Sequence, residues 1–275
     1  MKAVEVSYDD EASLISALKG QQFLAIALGV SAAPDLHAKI VAAAGKAGVP
    51  FVMPNVYGYP IAEPKPEDDF SKGFIQRIKD IEDNGFSSAI TLACGFWYEW
   101  SLATGERWFG FTIAERKVTF FDDGKRTIAV STWDQCGRAL AALLSLPESR
   151  SGGASSSSPS LADFKNKTVL INSFRVSQRD MLDSLHRVLG TTDADWEITY
   201  EASAKRVQDG TAEMQKGDMR GFAKSLYGAV FVPDNVTSDY VGTDNEVLKL
   251  PKEDLDEATK RTVEMVQNGW NPFGV

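Results

Sequence analysis

The stretch Ser87–Leu102, SSAITLACGFWYEWSL, decides how the chain folds. Its first half, Ser88–Leu92, is apolar and rich in β-forming residues, which predicts a buried strand of a parallel sheet. Cys94 and Gly95 end that run, and four aromatic residues follow: Phe96, Trp97, Tyr98 and Trp100. Ligands of open α/β sheets lie beyond the carboxyl ends of strands, so these rings are a candidate wall for a flat ligand. The same rings are equally suited to a hydrophobic core at a strand-to-helix corner.

Turn residues separate further apolar runs before this strand. We predict strands over Ala3–Tyr8, Phe23–Leu28 and Phe51–Met53, with a helix after each. The first hundred residues thus alternate between strand and helix, which is typical of an α/β fold with a doubly wound parallel sheet. Farther along, Asp122–Lys125 carries an Asp-Gly pair between two β-prone runs and predicts a hairpin. Ser177, with Asp180 three residues later, predicts the start of a helix.

Composition excludes several classes of protein. The chain has 275 residues, a formal net charge of −9 and no Lys/Arg-rich block, so we expect no nucleic-acid partner. It contains 2 cysteines without metal-type spacing, which predicts a reducing, cytoplasmic setting and no metal site. No apolar stretch approaches the roughly 20 residues of a membrane helix, so we expect no membrane partner. The oligomeric state stays open.

The low-complexity run SGGASSSSPS suggests where the chain divides. We predict a first domain over residues 1–146, a flexible Ser/Gly-rich loop over 147–163, and a smaller C-terminal α+β region over 164–275 that covers the substrate.

Several short motifs, in this order and at these spacings, carry a resemblance to one known family. They are Pro54–Gly58, Ile81–Gly85, Cys94–Trp97, Phe121–Lys125, Val130–Arg138 and Ser177–Leu182. With them the chain resembles the NmrA-like and isoflavone-reductase-like proteins, atypical short-chain dehydrogenases/reductases with a Rossmann domain. It looks closest to the fungal isoflavone-reductase-family oxidoreductases.

The resemblance implies NAD(P)H-dependent reduction of a small aromatic or polyketide-like metabolite. It places the NADP(H) cofactor against Leu28, Gly29, Val30, Asn55, Val56, Tyr57, Gly58, Cys94 and Gly95. It places the substrate against Phe96, Trp97, Tyr98 and Trp100. Cys94 is expected to be a small buried residue rather than a reactive thiol.

One departure from the family concerns the phosphates. The sequence has no Gly-rich turn of the type that holds a pyrophosphate at a helix N-terminus. Ala3–Tyr8 corresponds to the third strand of the family, so we expect an N-terminally incomplete sheet without the first two strands and glycine turn. The reason could be a wrongly assigned start codon, a truncated product or a genuine variant. We therefore expect poor binding of NADPH and an exposed edge on Phe23–Leu28.

A second departure concerns catalysis. Counting back from Ile81, Phe74 holds the place of the family's lysine, and phenylalanine cannot transfer a proton. Lys72 and Tyr57 are weak substitutes, and Lys79 lies nearby out of register, so the catalytic group is not identified. The alternatives to an impaired reductase are a non-catalytic, NmrA-like dinucleotide sensor and an inactive incomplete product. His37, on the helix after the second strand, is expected to be a surface residue.

Overall fold

The structure is a computed structural model, and it describes residues 2–29, 32–61, 69–150 and 158–273. The helices are α1 (Glu11–Leu18), α2 (Leu36–Ala47), α3 (Asp69–Glu82), α4 (Tyr98–Ala103), α5 (Trp133–Leu144), α6 (Gln178–Leu189), α7 (Ser203–Gln215), α8 (Gly221–Phe231) and α9 (Leu255–Gln267). The strands are β1 (Phe23–Ala25), β2 (Phe51–Met53), β3 (Tyr57–Gly58), β4 (Ser88–Ala93), β5 (Phe96–Trp97), β6 (Phe111–Thr112), β7 (Lys117–Phe121), β8 (Ile128–Ser131), β9 (Lys167–Leu170), β10 (Phe174–Val176) and β11 (Glu197–Glu201).

The chain forms two compact units and passes between them several times. Unit 1 comprises Met1–Ala93, Ala139–Leu170 and Glu246–Lys249, and unit 2 comprises Cys94–Arg138, Ile171–Asn245 and Leu250–Val275. The domain boundaries expected from the sequence, near residues 146 and 163, treat each domain as one continuous segment. These boundaries stay a prediction. Much of the Ser/Gly-rich run, residues 151–157, lies outside the described residues.

Unit 1 contains the parallel sheet that the sequence predicts. β4 pairs in parallel with β2, β3 and β9, and β1 pairs in parallel with β2. The helices α1, α2 and α3 pack in succession, α1 on α2 and α2 on α3. Their core combines strand and helix residues that are almost fully buried, among them Ile26, Val41, Val52 and Ala89. This is the α/β arrangement expected from the apolar runs and their glycine stops.

Unit 2 contains two smaller sheets. β8 lies between β10, which is antiparallel to it, and β5, which is parallel. β7 lies between β6, antiparallel, and β11, parallel. The helix α6 begins with the capping box that the sequence indicates, in which Ser177 and Asp180 bond each other's backbone amides.

Two sequence predictions about secondary structure are wrong. Ala3–Tyr8 forms no strand, and all but one of these residues are exposed, because no neighbouring strand in the described chain accepts their backbone hydrogen bonds. The Asp122–Lys125 turn does adopt positive φ at Asp122 (54°) and Gly124 (70°), yet it joins strands of different sheets instead of a hairpin. Both edges of β7 are already paired, so β8 pairs elsewhere. None of the helices within the described ranges has the length and hydropathy needed to span a membrane.

Candidate functional site

Asn55 closes the carboxyl ends of β1 and β2 in unit 1. Its Oδ1 accepts a hydrogen bond from the Leu28 amide at 3.2 Å, and its Nδ2 donates to the Leu28 carbonyl at 3.3 Å. The Asn55 carbonyl accepts from Nη1 of Arg77 at 2.8 Å. The side chain therefore continues the pairing of the two segments that follow β1 and β2 beyond the end of β1 at Ala25. Because these bonds occupy its polar groups, Asn55 positions the strand end.

His37 lies beneath Asn55 and is buried, so its prediction as a surface residue is wrong. Only 4% of the residue is exposed, and its Nε2 accepts a hydrogen bond from the Asn55 amide at 3.4 Å. Burial, reinforced by the Arg77 charge and opposed by Asp80, lowers the pKa of His37 to about 4. Its Nδ1 lies 4.0 Å from Asp80 Oδ2 and has no hydrogen-bond partner in the structure as described. His37 is therefore a neutral core residue at physiological pH.

The other predicted cofactor residues of unit 1 occupy the same edge. Leu28 is half-buried and Gly29 is exposed; apart from its chain neighbours, no described residue places an atom within 4 Å of a Cβ built on Gly29. Val56 is buried, and the half-buried Tyr57 donates its hydroxyl to the Ile26 carbonyl at 2.8 Å. Gly58 has a φ of 126°, which favours glycine. Val30 lies outside the described residues.

A cavity of about 450 Å³ opens in unit 1 at the carboxyl end of β4. Its walls come from the loop after β2, from α3 and from the strands β4 and β9; they include Val56, Tyr59, Lys79, Thr91, Ala93 and Thr168. The Thr91 and Thr168 hydroxyls bond each other at 2.8 Å. A volume of this size, with mostly apolar walls and a few polar groups, is typical of small-ligand sites.

The lysine candidates on α3 differ in their surroundings. Both lysines are exposed, but Lys79 lines the cavity and Lys72, two turns earlier on the helix, does not. Phe74 is half-buried, and the Arg77 guanidinium lies 5.5 Å from the centre of its ring. The sequence placed Lys79 out of register with the family's lysine, and only the cavity shows that it borders a ligand-sized space.

In unit 2, Cys94 and Gly95 have structural roles. Cys94 is buried, as expected, and a hydrogen bond to Cys94 together with burial raises the pKa of the Cys136 thiol. Gly95 has a φ of 64°, and a Cβ at this position would overlap the carbonyl oxygen of Ala129. Glycine is therefore required here by both conformation and space.

The predicted substrate residues divide into core and accessible rings. Phe96 stacks on Tyr227 with ring centroids 3.9 Å apart, and Tyr98 is fully buried. The Tyr98 hydroxyl bonds Thr259 at 2.7 Å, and burial raises its pKa. Trp97 is 43% exposed. Trp100 is half-buried and makes edge contacts with two other rings, those of Trp108 and Phe273. Trp97 is thus the most accessible of the four rings, while Tyr98 makes the contacts of a core residue.

The residues of unit 1 can be tested against the nicotinamide cofactor that the resemblance implies. The cavity beside Val56 and Ala93 is large enough for the nicotinamide and its ribose, and its lining combines apolar side chains with Lys79 and two threonines. In the described ranges, no glycine-rich turn follows a strand to hold a pyrophosphate. At α2, the helix after β1, the N-cap is the carboxylate Asp35, which disfavours an anion there. The residues therefore fit the nicotinamide end and supply no cradle for the phosphates.

Sequence reasoning missed His37, Arg77 and the buried Glu99. A signal for His37 existed, because it precedes Ile40 by three residues and Val41 by four, which places all three on one helix face. Arg77 and Glu99 gave no such signal, since charged residues on amphipathic helices are usually solvated. No group of His, Cys, Asp or Glu side chains suited to a metal ion occurs in the described part of the chain.

Comparison with solved structures finds the same fold in several reductases. The match to the structure of AtPrR2 with NADP+ and (+)-pinoresinol covers 94% of this chain and 81% of the AtPrR2 chain, with a TM-score of 0.71 and 19% sequence identity. The match to leucoanthocyanidin reductase with NADPH from Vitis vinifera covers 95% of this chain and 85% of the reductase, with a TM-score of 0.70 and 11% sequence identity. The match to an isoflavone reductase covers 93% of this chain and 79% of the reductase, with a TM-score of 0.65 and 18% sequence identity. No protein-family model and no curated protein sequence matches the chain.

At these identities the comparison shows the fold. The chain shares a Rossmann-like α/β fold with these reductase structures, which confirms the predicted fold class; the absence of the first two strands and the glycine turn stays a prediction. The fungal affinity stays a prediction.

Proposed function

We propose that the chain is an NAD(P)H-dependent reductase of a small aromatic metabolite, similar to the isoflavone-reductase-like proteins. The observation that carries the proposal is the cavity of unit 1, which lies at the carboxyl end of β4 in a parallel sheet. This is the place where open α/β sheets bind their ligands. The fold shared with structures that contain NADP+ or NADPH supports the same site.

In this proposal the chain binds and orients the cofactor, which supplies a hydride when bound. Leu28, Gly29 and the loop from Asn55 to Gly58 would hold the nicotinamide and its ribose. Asn55 acts as a positioning residue, because its hydrogen bonds fix the backbone of Leu28. Trp97, in unit 2, is the most accessible of the predicted substrate rings, and its contact with substrate stays a prediction.

Lys79 is the best candidate for a cationic group in this site. It lines the cavity, and the phenylalanine at position 74 leaves the family's proton-transferring lysine without a counterpart at its own place. An ammonium group near the reacting carbonyl would stabilise the negative charge that develops on oxygen as hydride is transferred.

The test is turnover of NADPH with a panel of aromatic ketones and enones, followed by the absorbance of the reduced nicotinamide. We expect Lys79→Met to lower kcat/KM by about tenfold or more, while Lys72→Met, a matched change on the same helix, leaves it unchanged. Equal losses in the two variants, with intact folding, would contradict the role of Lys79.

Phe74 favours a second candidate function, a dinucleotide-binding protein without turnover. Its half-buried ring beneath Arg77 cannot transfer a proton. Saturable binding of NADPH without oxidation by any member of the panel would favour this function over the reductase.

A further inference from the structure

Unit 2 contains a cleft of about 460 Å³ formed by α4, the first turn of α5 and the C-terminal part of α9. The residues that give it its chemistry are Glu99, Trp133, Asp134, Arg261, Glu264 and Trp270. None of them belongs to the cavity of unit 1, and none was expected from the sequence to bind a ligand.

The charges around the cleft favour a cation. Three carboxylates, those of Glu99, Asp134 and Glu264, face a single guanidinium, that of Arg261. Arg261 is already engaged, because its Nη2 and Nε both donate to Oε1 of Glu99, at 2.9 and 3.3 Å. Asp134 and Glu264 are exposed and take part in no ion pair in the described ranges. An anionic ligand would therefore meet net negative charge and an occupied arginine.

Glu99 points to a missing partner. The residue is 4% exposed, and its Oε2 has no hydrogen-bond partner among the described residues, although Oε1 is bonded to Arg261. A buried carboxylate oxygen without a donor is costly, because it has lost water and gained nothing in exchange. Because Glu99 lines the cleft, a positive charge placed there would be attracted to this incompletely bonded carboxylate.

Two tryptophans form an aromatic corner in the same cleft. The ring centroids of Trp133 and Trp270 are 5.8 Å apart, and the ring planes are inclined by 62°. Trp133 is 39% exposed, and Nε1 of Trp270 donates to the Thr104 hydroxyl at 3.4 Å, which helps to fix that ring. The faces of tryptophan attract cations, and aromatic corners of this kind recognise ammonium groups.

We propose that this cleft binds an organic cation, a protonated amine attached to an apolar group. The ammonium group lies against Glu99, and the apolar group packs on the rings of Trp133 and Trp270. The inference is independent of the proposed reductase function, because it rests on residues outside the cavity of unit 1.

The test is calorimetric titration of the full chain with 2-phenylethylamine as the probe. The neutral 2-phenylethanol and the anionic 3-phenylpropionate have the same ring and serve as controls. We expect saturable binding of the amine that is at least about tenfold tighter than binding of the alcohol, and no binding of the acid. Added salt should weaken the binding of the amine. Equal affinity for amine and alcohol, or stronger binding of the acid, would overturn the proposal.

Variants locate the site. Glu99→Gln keeps the shape of the side chain and should lower the affinity for the amine by about tenfold or more. Trp133→Leu should lower this affinity several-fold. Glu257→Gln makes the same charge change on α9 outside the cleft and should have no effect. If Glu99→Gln fails to fold, the double variant Asp134→Asn/Glu264→Gln changes only exposed positions of the cleft and should still lower the affinity for the amine. Unchanged affinity in the folded cleft variants would refute the assignment.

Discussion

The buried His37 predicts a specific loss of stability in mild acid. Its pKa in the folded chain is about 4, against a reference value of 6.5 that we take for the unfolded chain. The folded state therefore holds the neutral ring, and the unfolded state takes up the proton first as the pH falls. Stability is fully present above pH 6.5 and is lost as the pH falls from there towards 4. The difference between the two pKa values corresponds to about 3 kcal/mol at full protonation, of which about 2 kcal/mol is lost between pH 7 and pH 5.

The assay is urea unfolding of the wild type and of His37→Gln at pH 7 and pH 5. Glutamine retains a polar group that can accept from the Asn55 amide but does not titrate. Other groups titrate in the same range, so the informative quantity is the difference between the two proteins in their loss of unfolding free energy. We expect the wild type to lose about 2 kcal/mol more than His37→Gln on this change of pH. An equal loss in both proteins would refute the burial of His37 as a neutral ring.

Three further predictions concern Asn55, Gly95 and the two cysteines. Asn55→Ala should lower the unfolding free energy by about 1–2 kcal/mol in urea, because it leaves both backbone groups of Leu28 without their partner; a change within error would contradict this. Gly95→Ala should destabilise unit 2 by more than about 3 kcal/mol, measured as a lost or much lower melting transition, because its positive φ and the overlap of the new methyl group act together; a wild-type melting temperature would exclude the overlap. Cys94 and Cys136 should react with Ellman's reagent only after denaturation, since one thiol is buried and the pKa of the other is raised; rapid reaction of the native chain would show that they are accessible.

Local signals in the sequence predicted the parallel sheet of unit 1 well. Apolar runs bounded by glycine located β1, β2 and β4, and the Ser177–Asp180 pair located the start of α6. Both features depend on residues close together in the chain, where periodicity and capping act directly.

The failures depend on partners that are distant in the sequence. Ala3–Tyr8 has the alternation of a strand, but a strand also needs a neighbour to accept its hydrogen bonds. The Asp122–Lys125 turn reverses the chain without determining which strands then pair.

The candidate site was predictable only in its location. The strand ends pointed to Asn55–Gly58 and to Phe96–Trp100, yet no pattern in the sequence distinguishes the buried Tyr98 from the exposed Trp97. The two clefts bring together α3 with β9 and α4 with α9, and such contacts appear only after folding.

The central claim, that the carboxyl edge of unit 1 binds a nicotinamide dinucleotide, is tested most directly by fluorescence titration with NADPH. We expect saturable but weak binding, with a Kd nearer about 1 mM than 1 µM, because no described residue forms a cradle for the pyrophosphate. Lys79→Met, which changes the wall of the cavity, should weaken it several-fold, and Lys72→Met should not. No saturation by NADPH, or the same affinity in both variants, would contradict the claim.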